Sequence, residues 1–167
     1  MKTISLAALL SLGMLSMNAF ADADTYNGFS LDLVHSTQNG GSNSASGLGI
    51  IRSVRPSEHY GYEMQFGLFG NSGPFTSSAF VDLSAIGFVP LGNRGLKLYG
   101  TAGLADVYSR GSGTANNLGL TYGVGVEFPR DQEEGVVRIG FQHLNVGNNT
   151  LSPSLNTNLI GLTLLLK

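Results

Sequence analysis

Asp32, Glu63, Asp82, Lys97, Glu127 and Arg138 each stand between two apolar residues, in stretches where polar and apolar residues alternate. Alternation with period two puts all six side chains on one face of extended chain, opposite residues such as Leu31, Met64, Leu83 and Ile139. Two kinds of chemistry suit such a set. A file of carboxylates and cations is the material of an ion path or a proton relay. The same groups, paired with one another, form a plug that satisfies charges no apolar surroundings would accept. Buried charges are normally paired, which favours the plug. A turn centred between Gln132 and Glu133 places Glu127 directly opposite Arg138 on adjacent strands, and so predicts an ion pair.

Other constellations are thin. His35, His59 and His143 are too dispersed for metal-ligand spacing, and no His-x-x-x-His occurs. Gly123-Val124-Gly125 lies inside an alternating run rather than before a helix, so it is no dinucleotide motif. With no cysteine, thiol catalysis, disulfide scaffolds and Cys-based zinc sites are excluded. No cofactor, no metal site and no catalytic group is expected.

The composition says what kind of element must carry these residues. Charged residues are 12% of the chain, about half of the roughly 25% usual in soluble domains. Nine basic and eleven acidic residues cannot build an ordinary water-facing surface, and a net charge of −2 gives no nucleic-acid footprint. Glycine occurs 24 times, without the every-third spacing of collagen. The outside of this chain is not made for water.

Met1 and Lys2, the apolar stretch Ile4 to Met17 and the A-x-A pattern Ala19-Phe20-Ala21 read as a secretory signal peptide over residues 1–21. The apolar run is shorter than the roughly 20 residues a spanning helix needs. Residues 22–167 then form one domain, exported and without a helical anchor.

From Tyr26 onward the pattern is that of strands. Tyr62, Met64, Phe66 and Leu68 oppose Glu63, Gln65 and Gly67; Leu118, Leu120, Tyr122, Val124, Val126 and Phe128 oppose Thr121, Gly123, Gly125 and Glu127. Shorter runs recur at Phe29–Leu33, Val81–Ala85, Leu96–Leu104, Val137–Gln142 and Ile160–Leu166, and Gly47–Val54 reads as a less regular, bulged strand. The total is eight. Long Gly-, Ser- and Asn-rich connections (38–46, 71–77, 109–117, 147–156) alternate with tight ones (55–58, 91–95, 129–134). An eight-stranded antiparallel up-and-down transmembrane β-barrel has this plan, with short periplasmic turns, longer outside loops and both termini in the periplasm. The polar face, mostly Gly, Ser and Thr with single charges, suits a narrow interior, and the Leu-, Val- and aromatic-rich face suits lipid.

Val81-Asp82-Leu83-Ser84-Ala85-Ile86-Gly87-Phe88-Val89-Pro90-Leu91 resembles the fourth strand and turn of OmpA-like small outer-membrane barrels, a group that includes OmpX-like eight-stranded barrels. Leu96 to Leu104 resembles the following strand, and Gly161 to Leu166 the closing one. The resemblance covers residues 22–167 and implies the barrel fold and the bacterial outer membrane. It implies outer-membrane lipids, lipopolysaccharide among them, and the barrel-assembly machinery as partners. Closing strands of such barrels usually end in an aromatic residue; here Leu166 stands in that place and Lys167 follows. A second likeness is local. His143-Leu144-Asn145 resembles the His-x-Ser of lipid A deacylases, with Asn145 where their serine stands and no acidic residue after Glu134. His143 thus lacks a carboxylate partner on the last strand.

The function expected is that of a small outer-membrane barrel with a structural or cell-surface interaction role, its interior plugged by Asp32, Glu63, Asp82, Glu127 and Arg138. The alternatives are a lipid A or lipid-modifying barrel enzyme and a narrow solute channel.

Overall fold

The computed structural model describes residues 23–38, 41–71, 77–92, 94–110, 115–130, 135–146 and 155–167. The signal-peptide reading, the turn centre at Gln132 and Glu133, and the hydroxyls Thr150 and Ser152 lie outside the described residues. Eight strands follow one another: β1 (Asp24–Gln38), β2 (Gly41–Arg55), β3 (Tyr60–Asn71), β4 (Ser77–Pro90), β5 (Lys97–Arg110), β6 (Ala115–Pro129), β7 (Gly135–Val146) and β8 (Leu155–Leu166). Each pairs antiparallel with the next, and β8 pairs with β1, so the sheet is a closed barrel.

Closure sets the geometry. A path of directly paired residues leaves β1 at Asn27, runs through Arg52, Met64, Leu83, Leu104, Leu120, Asn145 and Asn156, and returns to β1 at Thr37. The offset from 27 to 37 is ten residues, which tilts every strand steeply against the barrel axis. Eight strands leave an interior only as wide as side chains can fill.

Most side chains divide by parity, although Val54, Val81 and Asp106, of outward parity, are buried. Phe29, Leu33, Leu48, Leu120 and Val124 point outward and are more than half exposed, although each is large and apolar. Ser30, Asp32, Asp82, Thr121, Glu127 and Arg138 point inward and are buried. A water-soluble barrel would have the opposite distribution.

Two expectations are corrected. The segments expected as long connections are in large part strand: Gly41–Ser46 pairs residue by residue with Leu33–Gln38, which leaves only residues 39–40 between β1 and β2. The β3–β4 and β5–β6 connections shrink to 72–76 and 111–114, so long and short connections do not alternate strictly. Beyond the apolar belt a strand faces water on its outer side and needs no apolar alternation, and this hid its pairing in the sequence. What distinguishes the two ends is polarity. Thr37, Ser42, Ser44, Asn145, Asn156 and Asn158 carry the strands past the belt at one end. At the other end Tyr60, Leu98, Phe128 and Leu166 carry the apolar outer face to the strand termini, interrupted by Asn27 and Arg52. That second end holds the turns at 56–59, 91–96 and 130–134, where Gly92 and Gly95 take the left-handed backbone (φ 71° and 73°) that glycine adopts without strain. It also holds both described termini, joined by Lys167 Nζ and Asp24 Oδ1 at 2.7 Å.

The second correction concerns β2, which pairs in unbroken register with β1 and β3 and has no bulge. It looked irregular because its pattern inverts near the turn end: apolar Ile51 points inward and charged Arg52 outward.

Candidate functional site

The interior is stacked in three layers. At the turn end lies a charge network drawn from four strands. Arg55, the last residue of β2, donates through Nη1 to Glu127 Oε1 at 2.9 Å and through Nη2 to Glu127 Oε2 at 2.7 Å. Arg138 on β7 donates through Nε to Glu127 Oε2 at 2.8 Å and through Nη1 to Glu63 Oε1 on β3 at 2.6 Å. Glu127 and Arg138 are direct cross-strand partners. Two carboxylates thus meet two guanidiniums, and the group is neutral as a whole. Aromatic faces replace water around it: Arg55 lies 4.3 Å from the Tyr26 ring centre and 4.6 Å from that of Phe88, and Arg138 lies 5.0 Å from that of Tyr99. Such cation–π contacts strengthen when desolvated. Lys97 also faces inward, at the rim, 5.6 Å from the Phe88 ring.

The middle layer holds carboxylates with neutral partners. Asp32 accepts a hydrogen bond from Ser30 at 2.8 Å, and Gln65 donates to the same Ser30. Asp82 accepts from Thr121 at 3.1 Å and also from Ser84 and Gln142. Between the two lies a cavity of about 60 Å³, lined among others by Asp32, Glu63, Asp82, Tyr99, Arg138 and Gln142. The volume admits about two water molecules at liquid density. Arg138 Nη2 has no acceptor among the described residues, and water in this polar cavity is the ordinary way to satisfy such a donor.

Above the cavity the interior turns apolar. Val34, Phe69, Phe80, Ala105, Val107, Leu144, Val146 and Leu159 form one buried cluster at the end away from the turns. Phe69 and Phe80 stack with ring centres 4.9 Å apart. Glycine makes room for these layers: a Cβ on Gly67 would collide with the Phe80 ring, and one on Gly140 with the Tyr99 hydroxyl.

The structure therefore brings Glu63, Glu127 and Arg138 into one network and holds Asp32 and Asp82 apart from it, across the cavity. Sequence reasoning missed Arg55, which it placed in a turn because Pro56 follows. The available signal was parity, since Arg55 shares its face with Gly49, Ile51 and Ser53. It also missed Gln65, Tyr99, Thr121 and Gln142, neutral groups whose role depends on what stands opposite.

On the outer face His143 lies near the far end of the apolar belt. Its Nδ1 is 2.7 Å from Asn158 Oδ1 on β8, and its ring is 5.0 Å from that of Tyr122. The last strand thus does supply a partner, an amide in place of the carboxylate the sequence lacks. Asn145 is exposed beside Asn156 and provides no nucleophile. The row continues through His35, whose Nδ1 is 3.1 Å from Ser44 Oγ. His59 lies in the β2–β3 turn, far from the other two along the strands. Among the described residues no group of three or more His, Asp or Glu is placed to hold a metal ion.

No protein-family model matches the chain, and no curated protein sequence matches it. Solved structures do. Neisserial surface protein A superposes with a TM-score of 0.73 at 14% identity, over 87% of this chain and 98% of that one. The N-terminal β-barrel domain of Pseudomonas aeruginosa OprF gives 0.57 at 14% identity, over 85% and 99%. Ail of Yersinia pestis, in complex with the heparin analogue sucrose octasulfate, gives 0.54 at 13% identity, over 86% and 98%. At these identities the likeness is one of fold. The chain has the fold of the small eight-stranded outer-membrane β-barrels.

Proposed function

We propose that this protein is a small integral protein of the bacterial outer membrane with a structural and cell-surface interaction role, and that its interior is a plug. The observation that supports this reading best is the layering of the interior. The Arg55–Glu127–Arg138–Glu63 network fills the turn end, and the Phe69–Phe80 cluster fills the other. The exposed apolar belt is the surface such a barrel presents to lipid, with lipopolysaccharide at its outer rim. The barrel-assembly machinery is the partner during biogenesis. The strand extensions beyond the belt, with their connections, are what the protein offers to the outside. They are rich in Gly, Ser and Asn, and Arg110 is the single charge in the segments 38–46, 71–77, 109–117 and 147–156. A sulfated ligand of the kind bound by Ail would find little cationic surface there.

The enzyme alternative has a base without a nucleophile. Acyl transfer needs an activated nucleophile as well as an oriented base, and the His143–Asn158 pair supplies only the second. Loss of the gene, followed by assays of outer-membrane integrity and surface binding, tests the proposed role. Weakened integrity or lost binding with unchanged lipid A is the expected outcome; unaltered integrity and unaltered surface binding would contradict it.

A further inference from the structure

The inverted pattern on β2 leaves a charge where a lipid-facing surface has no ordinary use for one. Arg52 points outward and is exposed. Its neighbours along the outer face are exposed Ile50 and buried Val54 on its own strand, half-buried Met64, its direct partner on β3, and diagonally Phe29 on β1 and Tyr62 on β3, both large and exposed. No hydrogen bond, ion pair or ring contact joins Arg52 to another described residue. Its direct cross-strand partner on β1 is Asn27, also outward and exposed. Directly paired residues hold their Cβ atoms about 5 Å apart, so the Asn27 carboxamide lies within reach of the long Arg52 side chain. Both carry donors, and no hydrogen bond from either side chain to another described residue is present.

The position along the barrel says what meets them. Arg52 is three residues before the end of β2, in the part of the belt next to the 56–59 turn. Tyr60 and Tyr62, exposed on the adjoining β3, lie at the same end. Tyrosines facing outward there mark the level of the lipid headgroups, and a long arginine reaches from the belt toward that level. In a barrel whose turns face the periplasm, this is the leaflet made of phospholipid. A phosphate diester attached to acyl chains matches the site: its oxygens accept from the planar fork of arginine, and its chains lie on Phe29 and Ile50.

We propose that Arg52 and Asn27 form a binding site for the headgroup phosphate of a phospholipid in the periplasmic leaflet. The site rests on the membrane reading above. That reading is checked separately by the different gel migration of unheated and heated protein, required of the wild type and every variant before binding is measured.

The test is native mass spectrometry of the folded, delipidated protein in detergent, titrated with phosphatidylglycerol or with diacylglycerol of the same chains. The wild type should hold phosphatidylglycerol well above diacylglycerol. Arg52→Gln should lower its affinity for phosphatidylglycerol about ten-fold, as loss of a charge-assisted hydrogen bond does, and leave diacylglycerol unchanged. Arg52→Lys should retain part of the affinity, and Asn27→Ala should lose less than Arg52→Gln. Equal binding of phosphatidylglycerol by wild type and Arg52→Gln, or equal binding of the two lipids by the wild type, would overturn the proposal. Displacement of the lipid by inorganic phosphate at equal concentration would also overturn it, by showing a site for free phosphate rather than for a lipid.

Discussion

Glu127 receives both terminal nitrogens of Arg55, at 2.9 and 2.7 Å, although 72 residues separate the two in the chain. The contact spans the lumen from β2 to β6, and with Arg138 on the other side it makes Glu127 the hub of the charge layer. A carboxylate held by two guanidiniums has its lone pairs well occupied, which is the condition under which buried charge is tolerated.

Geometry rather than charge carries this contact. Arg55→Lys keeps the charge and loses the fork, and is expected to cost about 1.5–3 kcal/mol in urea unfolding from lipid vesicles. A loss below about 0.5 kcal/mol would show that a point charge serves as well.

The Arg138–Glu127 pair makes a sharper prediction. Arg138→Ala strands the Glu63 carboxylate and leaves Glu127 with Arg55 alone, and should cost about 3–5 kcal/mol. Glu127→Ala strands Arg55, and both single variants lose the same Arg138–Glu127 bond, so the double variant, which loses it once, should fall short of the sum of the two single losses. Strict additivity in this cycle would mean that the two do not interact.

The strands were legible where lipid sets the pattern. Tyr62 to Leu68 and Leu118 to Phe128 alternate cleanly, because one face meets lipid and the other a crowded lumen. Legibility fails where the surroundings change. Gly41 to Ser46 and the far ends of the other strands rise out of the apolar zone, so their outward residues resemble loop residues. Arg55 was lost because its turn proline follows directly, and because its partner is remote in sequence. Asn158 was lost because an asparagine beside a Gly/Asn-rich segment reads as loop, and only register places it against His143.

Packing around the apolar layer gives another test. Gly67 lies beneath the Phe80 ring with no space for a Cβ. Gly67→Val should destabilise by about 1–3 kcal/mol, and Phe80→Leu in the same chain should recover part of the loss. Equal stability of Gly67→Val and wild type in urea would show that the ring moves aside freely.

Lipid A from cells overexpressing the protein is expected to keep all its acyl chains by mass spectrometry, since His143 has an orienting partner and nothing to activate. Loss of an acyl chain with the wild type, abolished by His143→Ala, would make the protein an enzyme.

Conductance in planar bilayers tests the central claim most directly, because a closed lumen and an open one differ at once in current. Purified wild-type protein, shown to be folded by its heat-dependent gel migration, should give a flat baseline: the charge network blocks one end and the Phe69–Phe80 cluster the other. Discrete, reproducible conductance steps from the wild type would contradict the plug and make the interior a passage.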